Sequence, residues 1–184
     1  MIRSLLLPVA VCSALASLML CFSNKGNAAD DTKRPKIERA MSAGPLSVTA
    51  KARIVEMDEK GKMTVLRDGP SGWTCFPGHP GVIGDNPECD DEAAMQWEED
   101  WMAHKPNPTN KRPGVVYMFA GGTDWSATDP WATRGTPIQE PPHWMMLWPF
   151  DPKSSGLSDN IKTAGTWIMW AGTPYSHLMI NQIP

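Results

Sequence analysis

The sequence predicts a single α+β domain built mainly on an antiparallel sheet, with one clear amphipathic helix and long loops rich in proline and glycine. Strand-like segments outnumber helical ones, and they do not alternate with helices in the way that builds a parallel sheet. The 18 prolines and 15 glycines indicate short elements joined by many ordered turns.

The first 28 residues are typical of a secretory signal peptide. Leu5 to Phe22 is almost wholly apolar, a positive charge precedes it, and small residues end the segment before Ala29. The alternative is an uncleaved membrane anchor, although a membrane-spanning helix needs about 20 apolar residues. We expect cleavage to leave a domain of residues 29–184, loosely ordered over 29–45, with no membrane span and a periplasmic or secreted location.

The N-terminal half of this domain is predicted as a short helix followed by a meander of strands. Residues 37–41 carry a helical pattern that a glycine–proline pair ends. Residues 52–57 and 62–67 form a hairpin, because a turn sequence separates two β-prone runs. Residues 73–76 form a short third strand after a second turn rich in glycine.

The clearest helix covers residues 91–104. Asp90 or Asp91 caps its start, acidic residues crowd its first turn, and a proline follows its end. Tryptophan, alanine and methionine side chains form its apolar face. Glu98 falls inside that apolar face, which makes it the best single candidate for a carboxyl group with a perturbed pKa.

The C-terminal half is predicted as four strands and a long loop. Residues 114–120 form a strongly β-prone run bounded by glycines. Residues 123–142 contain turn residues and two Asp-Trp or Asp-Pro-Trp sequences, which indicate a loop. The remaining predicted strands are 143–150, 166–171 and 176–181.

Cys75 and Cys89 are predicted to form a disulfide. Signal cleavage removes the other two cysteines and leaves an even count in an oxidising compartment. Three glycines and three prolines in the 13 intervening residues preclude a helix or an inner strand there. On the chain-entropy description, closing such a loop stabilises the fold by about 3 kcal/mol.

Composition restricts the classes of partner. Cleavage removes two of the 17 basic residues, so 15 face 20 acidic residues and the net charge is near −5, which argues against a nucleic-acid partner. The chain is rich in tryptophan, with nine residues beside 12 methionines, which indicates a core of large indoles and adaptable thioethers. No nucleotide-binding loop or serine nucleophile motif is found.

Four segments resemble a family of uncharacterised exported bacterial proteins. They are Gly-Trp-Thr-Cys-Phe-Pro-Gly-His-Pro-Gly (72–81), Ala-Gly-Gly-Thr-Asp-Trp-Ser (120–126), Pro-Pro-His-Trp-Met-Met-Leu-Trp-Pro-Phe (141–150) and Gly-Thr-Trp-Ile-Met-Trp-Ala-Gly-Thr-Pro-Tyr (165–175). The resemblance implies export and a single domain, and it implies no activity or functional residue.

Two His-x-Met segments are the candidate metal ligands. Residues i and i+2 of a strand point to the same face, so each segment offers an imidazole beside a thioether. This ligand set favours Cu(I), which makes copper the candidate cofactor. The alternative is ordinary core packing of the methionines. The four residues are His143, Met145, His177 and Met179.

Glu98 is also the candidate general acid or base, because burial raises the pKa of a carboxyl group. Its partner would be His79, His143 or His177. The alternative is a structural pairing with a local donor such as Lys105.

Two further candidates lie in loops. Trp125 and Trp131 lie beside aspartates and are candidates for stacking on a saccharide; alternatively, they fold back over the core. His79, in the loop between the cysteines, could form a mixed metal site with Asp85, Asp90 or Asp91.

These patterns favour an extracytoplasmic binding or structural module without catalysis. The patterns do not identify its ligand; the candidates are a soft metal ion and a small saccharide or hydrophobic molecule. The alternative is a small extracytoplasmic enzyme that uses Glu98 with a histidine as general acid and base.

Overall fold

The computed structural model describes residues 28–163 and 165–182, so the predicted signal peptide lies outside the described residues except for its last position. The helices are α1 (Ala28–Met41), α2 (Leu46–Thr49), α3 (Glu92–Met102) and α4 (Pro152–Ser155). The strands are β1 (Arg53–Met57), β2 (Met63–Arg67), β3 (Trp73–Phe76), β4 (Glu88–Asp91), β5 (Gly114–Met118), β6 (Gly122–Asp124), β7 (Ile138–Glu140), β8 (His143–Leu147), β9 (Thr166–Met169) and β10 (His177–Asn181).

One eight-stranded sheet organises the chain, in the order β2-β1-β3-β4-β5-β8-β10-β9. Its pairs are antiparallel except for β1 with β3. Strands β6 and β7 form a separate two-stranded sheet. The predicted α+β class with a mainly antiparallel sheet is confirmed.

The two faces of the sheet carry different cores. Helix α1 covers one face, where Cys75 and Cys89 pack among alanines and Ile54. Helix α3 covers the other face, where its Trp97 packs on a large cluster of methionine and aromatic side chains. Because side chains alternate along a strand, β4 directs Cys89 to the α1 face and its acidic neighbours to the α3 face.

Helix α3 begins where the sequence indicates. Asp91 is the N-cap, and its carboxylate accepts hydrogen bonds from the amides of Ala93 and Ala94 at 3.0 and 2.8 Å. The helix approaches β5 closely, since a Cβ on Gly114 would lie 2.5 Å from the backbone nitrogen of Ala94. This approach presses the apolar face of α3 onto the sheet.

Three segments differ from the sequence predictions. Helix α1 begins at Ala28, nine residues before the predicted start of the helix at residue 37. An inner strand, β4, begins at Glu88, the last of the residues between the cysteines, because the three prolines and three glycines of that segment all precede it. The 123–142 loop carries most of the β6–β7 hairpin, whose short strands lack a clear alternating pattern.

The predicted disulfide between Cys75 and Cys89 is present, and it joins residues that are register partners on β3 and β4. Such a bond fits an oxidising compartment. Within residues 28–163 and 165–182, no helix has the length and apolarity needed to cross a membrane.

Candidate functional site

Three connected cavities lie on the α3 face of the sheet, and Gly84 and Trp101 line all of them. The acidic chamber, about 180 Å³, lies between α3, β4 and residues 77–86. The inner chamber, about 90 Å³, lies between α3 and strands β5, β8, β9 and β10. The tryptophan groove, about 420 Å³, lies between the end of α3 and residues 124–133. Together they form one cleft.

Three of the five carboxyl groups that line the acidic chamber come from β4 and α3. Glu88 and Asp90 are two residues apart on β4 and therefore share its α3 face. Glu98 comes from the facing side of α3 and lines both the acidic and the inner chamber. The position of Glu98 on the apolar side of its helix, noted in the sequence, directs it at the sheet.

Burial dominates the electrostatics of this group. Burial raises the pKa of Glu88 to about 7, and the charge of Asp85 adds to the rise. Burial also raises the pKa of Asp90 and that of Glu98 well above their ordinary values, and the charge of Glu88 adds to both rises. These carboxyl groups therefore retain protons at a pH where exposed ones are ionised.

Two more carboxyl groups extend the network into the inner chamber. Burial raises the pKa of Glu140 to about 8, with contributions from the charges of Asp124 and Glu88. Burial also raises the pKa of Asp124, although hydrogen bonds from the backbone amides of Trp125 and Ser126 oppose the rise. We call Glu88, Asp90, Glu98, Asp124 and Glu140 the carboxyl network.

In the described part of the chain, no salt bridge joins the carboxyl network to a lysine or arginine, although Arg39 lines a neighbouring cavity with Glu140. Among the described residues, no lysine or arginine lines any of the three cavities. Lys105, the donor that the sequence suggested for Glu98, instead binds Asp100, with Nζ 2.5 Å from Oδ1. Asp90 is 1% exposed and lines the acidic chamber, and its Oδ1 has no hydrogen-bond partner.

The histidine at the mouth of the acidic chamber pairs with one aspartate. His79 Nδ1 lies 2.6 Å from Asp85 Oδ2, and its Nε2 lies 3.9 Å from Glu56 Oε1. In the described part of the chain, no group of three or more histidine, cysteine, aspartate or glutamate side chains is arranged to hold a metal ion. The mixed metal site suggested for His79 with Asp85, Asp90 or Asp91 therefore gains no support.

The tryptophan groove brings together both indoles that the sequence singled out. Trp125 and Trp131 line it, along with Trp101 and His104. Trp131 is 37% exposed and stacks on His104, with ring centroids 5.2 Å apart. Trp131 therefore packs partly over the end of α3 and still presents an aromatic surface to the groove.

The two His-x-Met segments lie on adjacent strands. Strands β8 and β10 pair antiparallel, and Met145 is the register partner of Met179. His143 and His177 lie on the same face, on opposite sides of that methionine pair, and all four residues are buried. Met145 and His177 line the inner chamber, whereas His143 and Met179 do not.

Both imidazoles are oriented in the same way. Nδ1 of His143 lies 2.7 Å from the carbonyl oxygen of Pro141, and Nδ1 of His177 lies 3.0 Å from that of Tyr175. A carbonyl only accepts, so each Nδ1 carries the proton and each Nε2 presents a lone pair. Neither Nε2 has a hydrogen-bond partner. Burial lowers the pKa of His143 and lowers that of His177 to about 4.

Glu98 and His177 share the inner chamber, and Glu98 and His79 share the acidic chamber. Neither histidine is hydrogen-bonded to Glu98; His177 binds a backbone carbonyl and His79 binds Asp85. The acid–base pairing suggested by the sequence therefore has two candidate partners in the cleft but no formed contact.

Sequence reasoning missed most of the carboxyl network. Local patterns do not single out Glu88 or Glu140, and they predict Asp90 as a helix cap or as a ligand of a loop metal site. The Glu-x-Asp spacing at 88 and 90 was the available signal, because it places two acids on one face if the segment is a strand.

Comparisons with known protein families, with curated proteins and with solved structures gave no match for this chain. The resemblance to exported bacterial proteins therefore stays a prediction, and the function must be argued from the cleft itself.

Proposed function

We propose that this protein is an extracytoplasmic binding protein whose ligand is a small organic amine held in the cleft. The observation that carries the proposal is the carboxyl network, to which no lysine or arginine of the described residues forms a salt bridge. Buried carboxylates are costly unless a positive charge or hydrogen-bond donors compensate them. A bound ammonium group would supply both.

The shape and lining of the cleft favour an organic cation over a metal ion. The carboxyl groups are distributed over two chambers, and no three histidine, cysteine, aspartate or glutamate side chains of the described residues are arranged to hold a metal ion. Trp101 lines all three cavities, and Met95 and Met102 line the acidic chamber beside it. Such side chains contact a carbon skeleton, and indole faces also attract ammonium groups.

The raised pKa values give this binding a specific signature. Near pH 7 the carboxyl groups of the network hold protons. A bound ammonium group stabilises their ionised form, so the carboxyl groups lose those protons when the amine binds. Binding should therefore release protons into the solvent. A neutral molecule of the same size would release none.

Titration calorimetry of the purified protein tests the proposal. The probes are 1,4-diaminobutane and glucosamine, each compared with its uncharged analogue, 1,4-butanediol or glucose. We expect at least one amine to bind with a Kd below about 1 mM, with a heat that changes with the ionisation enthalpy of the buffer. Whichever of the two amines binds more tightly, the diamine or the amino sugar, identifies the kind of carbon skeleton that the tryptophan groove accepts.

Two neighbouring substitutions provide a matched comparison. Glu98→Gln removes a carboxylate from the cleft, whereas Glu99→Gln removes one from the exposed side of the same helix. We expect the first variant to weaken amine binding at least tenfold and the second to leave it unchanged. Equal affinity for amines and their neutral analogues, no binding of either amine, or equal losses in the two variants would each contradict the proposal.

A further inference from the structure

The inner chamber is lined by sulfur and imidazole as well as by carboxyl groups. Met118, Met145, Met169 and His177 all line it. Their exposed fractions are 7% or less. Three thioethers and one imidazole therefore meet in a space that water barely reaches.

Strand register places two of these thioethers beside the imidazole. His177 on β10 is the register partner of Met169 on β9. Side chains of directly opposed residues have Cβ atoms about 4.5–5.5 Å apart. Met145 lies on β8, the other neighbour of β10, diagonal to His177 on the same face. The imidazole is thus flanked by a methionine from each adjacent strand.

The imidazole is held in the form that binds metals. The hydrogen bond from Nδ1 to the carbonyl oxygen of Tyr175 fixes the proton on Nδ1 and orients the ring. Nε2 is buried and has no hydrogen-bond partner. An unsatisfied buried acceptor costs free energy, which a bound metal ion would recover.

We propose that Nε2 of His177 and the thioether sulfurs of Met145 and Met169 form a binding site for Cu(I). Thioether and imidazole are soft ligands that select Cu(I) over Mg²⁺ or Ca²⁺. Trp97 and Trp170 lie against the imidazole, with ring centroids 5.6 and 4.9 Å from it, and shield the site from water. Of the four ligands that the sequence suggests, this site keeps His177 and Met145, omits His143 and Met179, and adds Met169.

The site is reached through the cleft but does not depend on amine binding. The inner chamber shares Asn86, Glu88 and Glu98 with the acidic chamber, which provides a route from the surface. None of the three proposed ligands belongs to the carboxyl network. Failure of one proposal therefore leaves the other standing.

Cu(I) binding to the purified protein tests the site, measured by competition with the chromogenic chelator bicinchoninate under reducing, oxygen-free conditions. Ag(I) serves as a second, redox-inert probe. We expect one Cu(I) per chain and partial quenching of tryptophan fluorescence, because two indoles contact the imidazole. His177→Asn and Met169→Leu should each weaken Cu(I) binding at least about tenfold. Met169→Leu nearly conserves volume, so it keeps the test valid if His177→Asn fails to fold.

His143→Asn is the matched control. His143 is also buried with a carbonyl-bound Nδ1 and an unpartnered Nε2, but it does not line the inner chamber. We expect this variant, and the exposed-site variant Met63→Leu, to bind Cu(I) as the unaltered protein does. Unchanged affinity in Met169→Leu, a loss in His143→Asn as large as in His177→Asn, or less than one Cu(I) per chain would overturn the proposal.

Discussion

Lys105 donates to Asp100 and not to Glu98, with Nζ 2.5 Å from Oδ1 of Asp100. Asp100 is 0% exposed and also accepts hydrogen bonds from Gln96 and from the amide and hydroxyl of Thr109. Its carboxylate therefore closes the turn that follows α3. Lys105 is the lysine nearest to Glu98 in the sequence, and this arrangement directs its ammonium group to Asp100 instead.

Asp100→Asn should destabilise the fold by about 2–3 kcal/mol, because several charge-assisted hydrogen bonds become weaker or are lost. Burial alone would raise the pKa of Asp100, but hydrogen bonds from Lys105 and Thr109 outweigh burial and lower it. This contribution is present above the ordinary aspartate pKa and is lost as the pH falls through the lowered value. Urea denaturation at pH 7 measures it, with Glu99→Gln as the control. A change below about 0.5 kcal/mol would contradict the role assigned to Asp100.

The free energy of unfolding should decrease as the pH rises from about 5 to about 8. The pKa of Glu140 is about 8 in the folded protein and near its ordinary value of 4.5 when unfolded. Between these values the folded state keeps a proton that the unfolded state releases, so raising the pH favours unfolding. Glu88, with a pKa of about 7, acts in the same direction.

Glu140→Gln isolates that effect, since the amide mimics the protonated carboxyl group and cannot ionise. We expect the variant to be more stable than the unaltered protein at pH 8 and similar to it at pH 5. Thermal melts across this range provide the measurement. Stability curves that stay parallel from pH 5 to pH 8 would show that Glu140 does not titrate as proposed.

Removing the disulfide should cost about 2–4 kcal/mol. The double variant Cys75→Ser with Cys89→Ser avoids a free thiol, and denaturation with and without reductant provides the comparison. Both cysteines are fully buried, so a mild reductant without denaturant should leave the unaltered protein intact. Rapid reduction of the native protein would instead show that β3 and β4 open easily.

Local sequence patterns predicted the elements that depend on local chemistry. Asp91 caps α3 because its side chain accepts hydrogen bonds from the amides two and three residues later. The preference of aspartate for the N-cap position can be recognised from the sequence. The β1–β2 hairpin follows from a turn between two β-prone runs. The placement of Glu98 on the apolar side of α3 follows from helical periodicity alone.

The cleft depends on long-range pairing, which local patterns do not contain. The adjacency of β8 and β10 brings Met145 beside Met179, although 33 residues, including α4 and β9, lie between them. The role proposed for Met169 depends on its register with His177, which local sequence patterns do not contain. The inner position of β4 likewise comes from its pairing with β3 and β5. Its own sequence does not indicate an inner strand, because three of its four residues are acidic.

Gly114→Ala should destabilise the protein and weaken amine binding together. The added Cβ would lie 2.5 Å from the backbone nitrogen and 2.6 Å from the Cα of Ala94, so α3 would have to move away from β5. We expect a cost of about 2–3 kcal/mol from this overpacking, together with weaker amine binding because α3 carries Glu98 and Trp101. Gly81→Ala provides the comparison, since its Cβ would enter open space and only its positive φ of 84° adds about 1–2 kcal/mol. Denaturation and calorimetry on both variants provide the measurements. A smaller loss of stability in Gly114→Ala than in Gly81→Ala, or unchanged amine affinity in Gly114→Ala, would contradict this prediction.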